Sequence, residues 1–496
     1  MLALQFHRKL RIARRNGTSY TEKVSSPNGL FRESLEAALQ HSLAHLEGLD
    51  RYPVATTASI EKLRNRLGKS FADHGVAPGQ VIAELVEDVA GGIIGSAGGR
   101  YFAGVIGGSL PAALAADWLA SAWDQNAVLY ATGPAAAIVE ETVGAWLKDI
   151  FGIPVSASFA LVTGCQMAHA TCLAAARHAI LAKRGWDVEQ RGLFGAPPIR
   201  ILSGQDRHGS TTRAIRLLGL GLNQIVDLAT DDNARLRADA LEQALANDPS
   251  APTIVLTQAG EINTGAYDPF ETIVPVARKY SAWVHVDGAI GLWAAASPNH
   301  RNLVRGVEQA DSWATDGHKW LNVPYDCGYA FVANAESHRA SMTLRAPYLV
   351  HDANARDQID WTPEWSRRAR AFPTYAALRQ LGRKGLSDMV DRCSRRAHSL
   401  VTRIARLPGA EMLCEPIINQ GLVRFVDPKP GATDMDHDRR TDRVIEAICA
   451  TGEAVFGGTT WRGRRAMRVS VSNWRTSDED VERVVNAVAR VLKVRC

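Results

Sequence analysis

The sequence predicts an α/β protein built on a mostly parallel, seven-stranded type of sheet with helices on both faces. Between about residues 118 and 347, short apolar runs alternate with amphipathic or alanine-rich runs of helical period. Such alternation favours parallel strands, because each return to the same edge of the sheet needs a crossover connection. Four runs predict strands, at residues 199–202, 253–256, 283–286 and 328–332, and two predict helices, at residues 168–183 and 270–280.

Length and composition exclude several classes of protein. With 496 residues, of which 46% are hydrophobic, the chain can bury a large core and form two or three domains. A net charge of +5 is modest for this length and does not indicate a nucleic-acid partner. No segment reaches transmembrane length. Seven scattered cysteines without a Cys-x-x-Cys pair predict neither a disulfide framework nor a zinc site, so we expect no metal and a cytoplasmic location.

Four regions follow along the chain. Residues 1–28 are basic and predict a disordered leader, with a basic arm as the alternative. Residues 29–110 predict a helical segment that packs on another part of the molecule or on a partner subunit. Residues 111–372 predict the large α/β domain, and residues 373–496 a smaller α+β domain. Within the large domain, residues 344–362 lack periodicity and predict a mobile catalytic lid, with a plain surface connection as the alternative.

Lys319 is the first candidate for catalysis, because it lies between His318 and Trp320 just past an apolar run. Desolvation at such a position lowers the pKa of an ammonium toward the range in which the amine is nucleophilic. A neutral lysine amine condenses with carbonyl groups, so the position predicts a Schiff-base lysine. A solvated surface lysine is the alternative, and the residues upstream favour the first interpretation.

Three elements upstream of Lys319 complete a possible cofactor site. The turn at residues 163–166 opens an alanine-rich helix, and the free N–H groups of a helix start bind anions such as phosphate. His208 follows a predicted strand and could stack on a ring, with a capping or core histidine as the alternative. Asp287 ends an apolar strand, where a buried carboxylate needs a cationic partner such as a protonated ring nitrogen. Ala289 follows closely enough to lie under that ring.

These parts together suit pyridoxal phosphate (PLP), which a protein uses as an electron sink. The chain also resembles the group II PLP-dependent amino-acid decarboxylases, which include the aromatic-amino-acid, glutamate and histidine decarboxylases. The resemblance spans about residues 35–492. Four motifs carry it, namely His318-Lys319-Trp320, His285-Val286-Asp287-Gly288-Ala289, the loop with His208, and Gly133-Pro134 followed by Glu140-Glu141.

The resemblance implies a fold-type I, transferase-like homodimer with its active site at the subunit interface. It implies that Lys319 forms the aldimine with the cofactor, that Asp287 faces the pyridinium nitrogen, and that His208 stacks on the ring. It places further cofactor contacts at Gly164, Cys165, Gln166, Asn263, Ala289 and His318.

The resemblance also implies a proton donor and a substrate region. Tyr348 matches the family tyrosine that protonates the quinonoid α-carbon after CO2 leaves, and its presence favours decarboxylation over oxidative deamination. A phenol suits this task where a closed lid excludes water. The candidate substrate contacts are Tyr101, Phe102, Val105, Ile106 and Arg468.

Two departures from the family pattern concern the phosphate and the substrate. Asp316 stands where an asparagine near the phosphate is common, and an anion there repels a phosphate unless it is paired or protonated. Val105 and Ile106 stand where aromatic-substrate members carry bulky aromatic residues, which argues mildly against a tight aromatic pocket.

We therefore predict a PLP-dependent carboxy-lyase that converts an L-amino acid to the amine and CO2, without a membrane or nucleic-acid partner. One alternative is a different PLP outcome, such as an aldehyde synthase, a carbon–carbon lyase or an aminotransferase. The other alternative is a catalytically silent PLP-binding dimer.

Overall fold

The computed structural model describes residues 27–344, 346–347, 349, 352 and 355–494. This part of the chain forms two compact units, of which the first ends at Gly95 and the second begins at Ser96. Among the helices in these ranges, none has both the length and the apolar character needed to cross a bilayer.

The first unit is helical, as the sequence predicts. Its described residues contain the helices α1 (Pro27–Gly48), α2 (Ile60–Leu67) and α3 (Pro78–Asp88), and α1 packs on α3. Ser59 caps α2 by accepting a hydrogen bond from the Lys62 amide. Pro78 opens α3 at the first helical position, where the missing N–H has no partner to lose.

The second unit contains the predicted sheet. Its strands lie in the order β1-β7-β6-β5-β4-β2-β3, and β7 runs antiparallel to both of its neighbours. The remaining strands run parallel to one another, so their carboxyl ends meet at one edge. The bounds are β1 (Ser158–Val162), β2 (Arg200–Gly204), β3 (Ile225–Leu228), β4 (Thr253–Gln258), β5 (Trp283–Asp287), β6 (Ser312–Asp316) and β7 (Gly328–Val332).

Helices cover both faces of this sheet. Along β4, Val255 packs into the larger apolar core, whereas its neighbours Ile254 and Leu256 pack into the smaller core on the other face. Two buried faces explain why the predicted strands are continuous apolar runs. The helices are α4 (Pro111–Trp123), α5 (Pro134–Phe151), α6 (Cys165–Ala182), α7 (Val188–Arg191), α8 (Gly209–Leu217), α9 (Ala238–Asn247), α10 (Phe270–Lys279), α11 (Ala335–Met342) and α12 (Ala371–Ala405).

A smaller antiparallel sheet follows in the order β10-β11-β9-β8. Gly382, at φ 60°, breaks the helical geometry of α12, a conformation that glycine adopts without steric cost. Capping boxes begin both later helices, with Thr433 and Ser477 as the caps. The bounds are β8 (Ala410–Ile417), β9 (Gln420–Phe425), α13 (Asp434–Ala450), β10 (Gly457–Trp461), β11 (Arg464–Ser470) and α14 (Asp478–Lys493). Both sheets belong to one compact unit, and a domain boundary at residue 372 stays a prediction.

The first residue of β7, Gly328, fixes the turn between β1 and α6. Gly328 pairs with Val162 on one side and with Asp316 on the other. A Cβ atom at Gly328 would lie 2.5 Å from the Gly164 Cα and 2.9 Å from the Cys165 amide nitrogen. The missing side chain therefore allows the β1–α6 turn to rest directly on β7.

Replacing Gly328 with alanine is expected to lower the thermal unfolding midpoint. The new Cβ overlaps backbone atoms, which cannot rotate away, so we expect a cost of about 1–3 kcal/mol. Gly385→Ala in α12 is the matched control, because its Cβ meets nothing closer than 3.5 Å and alanine favours a helix. Equal midpoints for Gly328→Ala and the natural protein would contradict this close approach.

Candidate active site

Two buried carboxylates lie at the carboxyl ends of adjacent strands. Asp287 ends β5 and pairs in register with Ala314 of β6, which ends two residues later at Asp316. Asp287 is 8% exposed and Asp316 2% exposed. Burying two carboxylates so close together requires donors or cations at both, and these neighbours define the site.

Hydrogen-bond donors surround Asp287. Its Oδ2 lies 3.4 Å from the Nε2 of His169 and accepts from the Thr211 hydroxyl at 3.4 Å, while its Oδ1 accepts from the Ala289 amide at 3.1 Å. Burial acts to raise the pKa of the Asp287 carboxyl, but His169 and the other neighbours outweigh burial and hold that pKa below its ordinary value. Asp287 is therefore ionised at neutral pH, as a partner for a protonated ring nitrogen must be.

Asp316 connects Lys319 to the start of α6. Its Oδ2 lies 2.9 Å from the Lys319 Nζ, and its Oδ1 accepts from the Cys165 amide at 2.6 Å. The turn at Gly164 and Cys165 therefore lies beside the lysine, and its role as a phosphate cradle stays a prediction. Gln166 is the second residue of α6, and its role in that cradle stays a prediction.

The pKa of Lys319 is not lowered, so this prediction from the sequence is wrong. Burial lowers the pKa of the Lys319 ammonium, but the adjacent Asp316 carboxylate outweighs burial, and the pKa lies above its ordinary value. Sequence alone gives the desolvation but not the ion pair. The position remains suited to a Schiff base, since the half-buried amine lies beside a carboxylate that also contacts a helix start.

His208 is compatible with both of its interpretations, a residue that caps a helix and a ring that could stack on a ligand. Its Nδ1 accepts from the Ser210 amide at 3.2 Å, which makes His208 the N-cap of α8. The capping interpretation is therefore observed. The ring is also exposed, so it retains a face on which a planar ligand could stack.

His318 is held by backbone and by a second aromatic ring. Its Nδ1 accepts from the Cys327 amide at 3.2 Å, so the proton of a neutral ring lies on Nε2, 3.5 Å from Asp316. Tyr325 stacks on the His318 ring with the centroids 4.2 Å apart. The sequence analysis missed Tyr325, since only the turn after Lys319 brings it back over the histidine.

Asn263 is engaged by protein groups. Its side-chain nitrogen Nδ2 donates to the Glu261 carboxylate at 2.7 Å, and its side-chain oxygen Oδ1 accepts from the Thr459 hydroxyl at 2.9 Å. The Glu261 carboxylate also accepts from the backbone amides of Asn263 and Thr264. This network orders the loop after β4, and a direct contact of Asn263 with a cofactor stays a prediction.

The candidate substrate residues divide into two sets. Phe102 is fully buried and stacks on Phe456 with the centroids 5.2 Å apart, so we leave it out of the proposed pocket. Tyr101 is half-buried, and burial raises the pKa of its phenol while Arg468 opposes that rise. Arg468 donates through Nη2 to the Ala103 carbonyl at 2.8 Å.

Val105 and Ile106 lie on the segment that reaches the Lys319 turn. The Gly107 amide donates to the His318 carbonyl at 3.3 Å, and a Cβ at Gly107 would overlap the Lys319 carbonyl oxygen. The segment therefore runs directly beside the catalytic candidates. Tyr348 lies outside the residues that the structure describes, and its role stays a prediction from the sequence.

His169 is the principal residue that sequence reasoning missed. It lies on the first turns of α6, fully buried, where a histidine in an alanine-rich helix gives no signal of its own. Within the described part of the chain, Cys165, His169 and Asp287 place possible metal ligands within 4.8 Å of one another. We assign them to hydrogen bonding, because burial raises the pKa of the Cys165 thiol well above its ordinary value and opposes a thiolate ligand.

Comparisons with known proteins agree on one family. A family model described as "Pyridoxal-dependent decarboxylase conserved domain" matches residues 61–426. An aromatic-L-amino-acid decarboxylase of Bacillus atrophaeus is 25% identical over 448 residues, covering 89% of this chain and 91% of the relative. An L-2,4-diaminobutyrate decarboxylase of Rhizobium meliloti (strain 1021) is 26% identical over 388 residues, covering 77% of this chain and 75% of the relative.

Solved structures share the fold. The structure of Oryza sativa TDC with PLP and tryptamine is 22% identical, with a TM-score of 0.88, covering 95% of this chain and 99% of that chain. The mostly parallel sheet and the smaller antiparallel sheet are therefore those of a known fold.

The residues at the strand ends fit PLP. A half-buried lysine amine, an ionised carboxylate and the first amides of a helix match the aldehyde, ring nitrogen and phosphate of that cofactor. Asp316 is the one group that opposes the fit, because its negative charge lies at the helix start. Its pairing with Lys319 meets the condition under which an anion is tolerated there.

Replacing Asp316 with asparagine is expected to tighten PLP binding about tenfold, or ~1.4 kcal/mol. The amide removes a charge that repels phosphate, and it removes the contact that raises the pKa of Lys319. The lysine amine then loses its proton at a lower pH than in the natural protein. The increase in the rate of PLP capture with pH should therefore begin at a lower pH.

Titration of cofactor-free protein with PLP measures both effects. Asp311→Asn is the matched control, because Asp311 lies just before β6 at its opposite end and accepts from the Val284 amide. Weaker PLP binding by Asp316→Asn than by the natural protein would contradict the repulsion.

Proposed function

This chain belongs to the pyridoxal-dependent decarboxylase family, and from that premise we propose that it removes the carboxylate of an L-amino acid as CO2. The observation that carries the proposal is the convergence of Lys319 and ionised Asp287 at the ends of adjacent strands. Bound PLP supplies an electron sink for the electron pair that remains when the bond to the carboxylate breaks.

The described residues have distinct tasks in this proposal. Lys319 would hold the cofactor through its amine, and Asp316 at 2.9 Å orients that amine. Asp287 keeps the ring nitrogen protonated, because its own pKa lies below the ordinary value. The exposed ring of His208 would pack on the cofactor, and its capping bond to Ser210 holds the ring in place.

Tyr348 is the proposed proton donor to the α-carbon after CO2 leaves. A phenol with its ordinary pKa of about 10 keeps its proton at neutral pH and can deliver it in a dry site. The substrate carboxylate and side chain are proposed to meet Tyr101, Val105, Ile106 and Arg468. Arg468 suits an anionic group, since its Nε–H is buried and donates no hydrogen bond to the described residues.

Lys319→Ala is expected to abolish amine formation, and Tyr348→Phe to lower it by about 100-fold, the usual contribution of a positioned acid. The measurement is a panel of the proteinogenic amino acids with detection of CO2, amine, aldehyde and peroxide. Tyr375→Phe is the matched control, because its ring stacks on Trp146 in the core.

Each outcome of that panel has a meaning. Amine and CO2 without oxygen uptake support the proposal. Aldehyde with peroxide would replace it by an aldehyde synthase, and no turnover with intact PLP absorbance would replace it by a silent homologue. Full amine formation by Tyr348→Phe would remove the proposed proton donor.

We also propose that the protein is a homodimer in which α1 packs on a second copy. The apolar residues Phe31, Leu35, Leu39 and Leu43 recur every four residues and are all exposed. An exposed apolar stripe of this length on a helix is typical of a protein interface.

Leu35→Glu combined with Leu39→Glu is expected to convert dimers to monomers, because the new charges cannot be buried unpaired. Sedimentation analysis measures the change, with Gln40→Glu on another face of α1 as the control for added charge. A dimer that survives both leucine substitutions would place the interface elsewhere.

A further inference from the structure

A line of buried side chains runs from Trp283 to Asp287. The Trp283 Nε1 lies 2.9 Å from the Ser312 Oγ, which lies 2.9 Å from the His285 Nδ1. The His285 Nε2 lies 2.9 Å from the His169 Nδ1, and the His169 Nε2 lies 3.4 Å from the Asp287 Oδ2. We call Trp283, Ser312, His285 and His169 the buried relay. The last three are fully buried, and Trp283 is 6% exposed.

The first member of the relay fixes its direction. An indole nitrogen only donates, so the Ser312 oxygen must accept from Trp283. The hydroxyl then has one proton to give, and His285 Nδ1 is the strong acceptor at 2.9 Å. The other described neighbour of the hydroxyl is the Cys172 thiol, which is a weak acceptor.

The remaining protons follow from that direction. His285 accepts at Nδ1, so its ring proton lies on Nε2 and is donated to the Nδ1 of His169. His169 in turn carries its proton on Nε2, the nitrogen that faces Asp287. Trp283 only donates, Ser312, His285 and His169 each accept once and donate once, and the line ends on a carboxylate that only accepts.

Other arrangements conflict with the same contacts. With the direction reversed in neutral rings, the His169 Nε2 would present a lone pair to the ionised Asp287. A cationic His169 would donate from Nδ1 to His285, and His285 would then donate from its own Nδ1 to Ser312. The Ser312 oxygen would accept from two N–H groups, and its own proton would be left to the Cys172 thiol. A nucleophilic triad is also excluded, because Cys165 and Asp287 both face the same nitrogen of His169.

The surroundings keep the second histidine neutral. Burial lowers the pKa of His285 to about 3, against the opposite effect of Asp287. A neutral ring has one donor and one acceptor nitrogen, which is the condition that the relay requires at this position.

We propose that the buried relay sets the tautomer of His169, and that His169 acts as a positioning residue that holds Asp287 oriented toward the cofactor ring nitrogen. The proposal rests on the role of Asp287 in the proposed function. Trp283 acts through three other side chains, so it influences cofactor binding although none of its described hydrogen bonds is to Asp287.

The direct test is the 15N spectrum of histidine side chains in the PLP-loaded protein at neutral pH. Nitrogen shifts distinguish a protonated ring nitrogen from a bare one, and His169→Gln identifies the His169 signals by their loss. A neutral ring protonated at Nε2 supports the proposal. A proton on Nδ1, alone or with one on Nε2, would overturn it.

A double-mutant cycle tests the coupling to PLP binding. Trp283→Phe is expected to raise the PLP dissociation constant about three- to tenfold, the range for loss of one hydrogen bond. His169→Gln retains an amide donor for Asp287 but not the contact with His285. In that background Trp283→Phe should change the constant by less than about twofold. Additive effects would show that Trp283 acts by packing and would reject the relay.

Trp313→Phe is the matched control for removing a buried indole from this sheet. Its Nε1 donates to the Val307 carbonyl and not to the relay, so PLP affinity should stay within about twofold of the natural protein. A loss equal to that of Trp283→Phe would overturn the proposal. None of these readouts requires turnover, so a protein that makes no amine would still reveal whether the relay exists.

Discussion

The burial of Asp287 and Asp316 at the ends of neighbouring strands is the constraint on which this site depends. An ionised carboxylate without partners in an apolar interior is strongly unfavourable, so each must be matched by groups from other elements. Asp287 is matched by donors from α6, α8 and its own loop. Asp316 is matched by Lys319 and by the first amide of α6. The requirement to satisfy two anions therefore gathers the side chains that serve the cofactor.

The antiparallel strand β7 makes this gathering possible. It lies between β1 and β6, with Gly328 opposite both Val162 and Asp316. Through that register the turn after β1 reaches the end of β6, although the two strands do not pair. A larger residue at position 328 would push the turn away, and the Cys165 amide could not reach Asp316. Parallel pairing by itself aligns the strand ends at one edge of the sheet. The antiparallel strand β7, with glycine as its first residue, also brings the turn after β1 into contact with the end of β6.

The local sequence pattern predicts much of this site, whereas the rest depends on contacts between residues that are distant in the sequence. The strands β4, β5 and β7 are apolar runs buried on both faces, so their pattern predicts them, and Asp287 and Lys319 follow from their places beside such runs. By contrast, β6 contains Ser312, Thr315 and Asp316, whose polarity hides a fully buried strand. The raised pKa of Lys319 was not predictable, since burial and pairing act in opposite directions and only the structure gives the distance.

The two carboxylates differ in the kind of partner that neutralises them, and this difference suits the proposed chemistry. Hydrogen-bond donors on α6, α8 and the loop after β5 hold Asp287. The cation beside Asp316 is an amine that must give up its charge when it binds a carbonyl. A fixed anion suits a ring nitrogen that stays protonated throughout. An anion paired to an exchangeable amine suits the position where the cofactor is captured and released, because the strength of that pair changes with the state of the lysine.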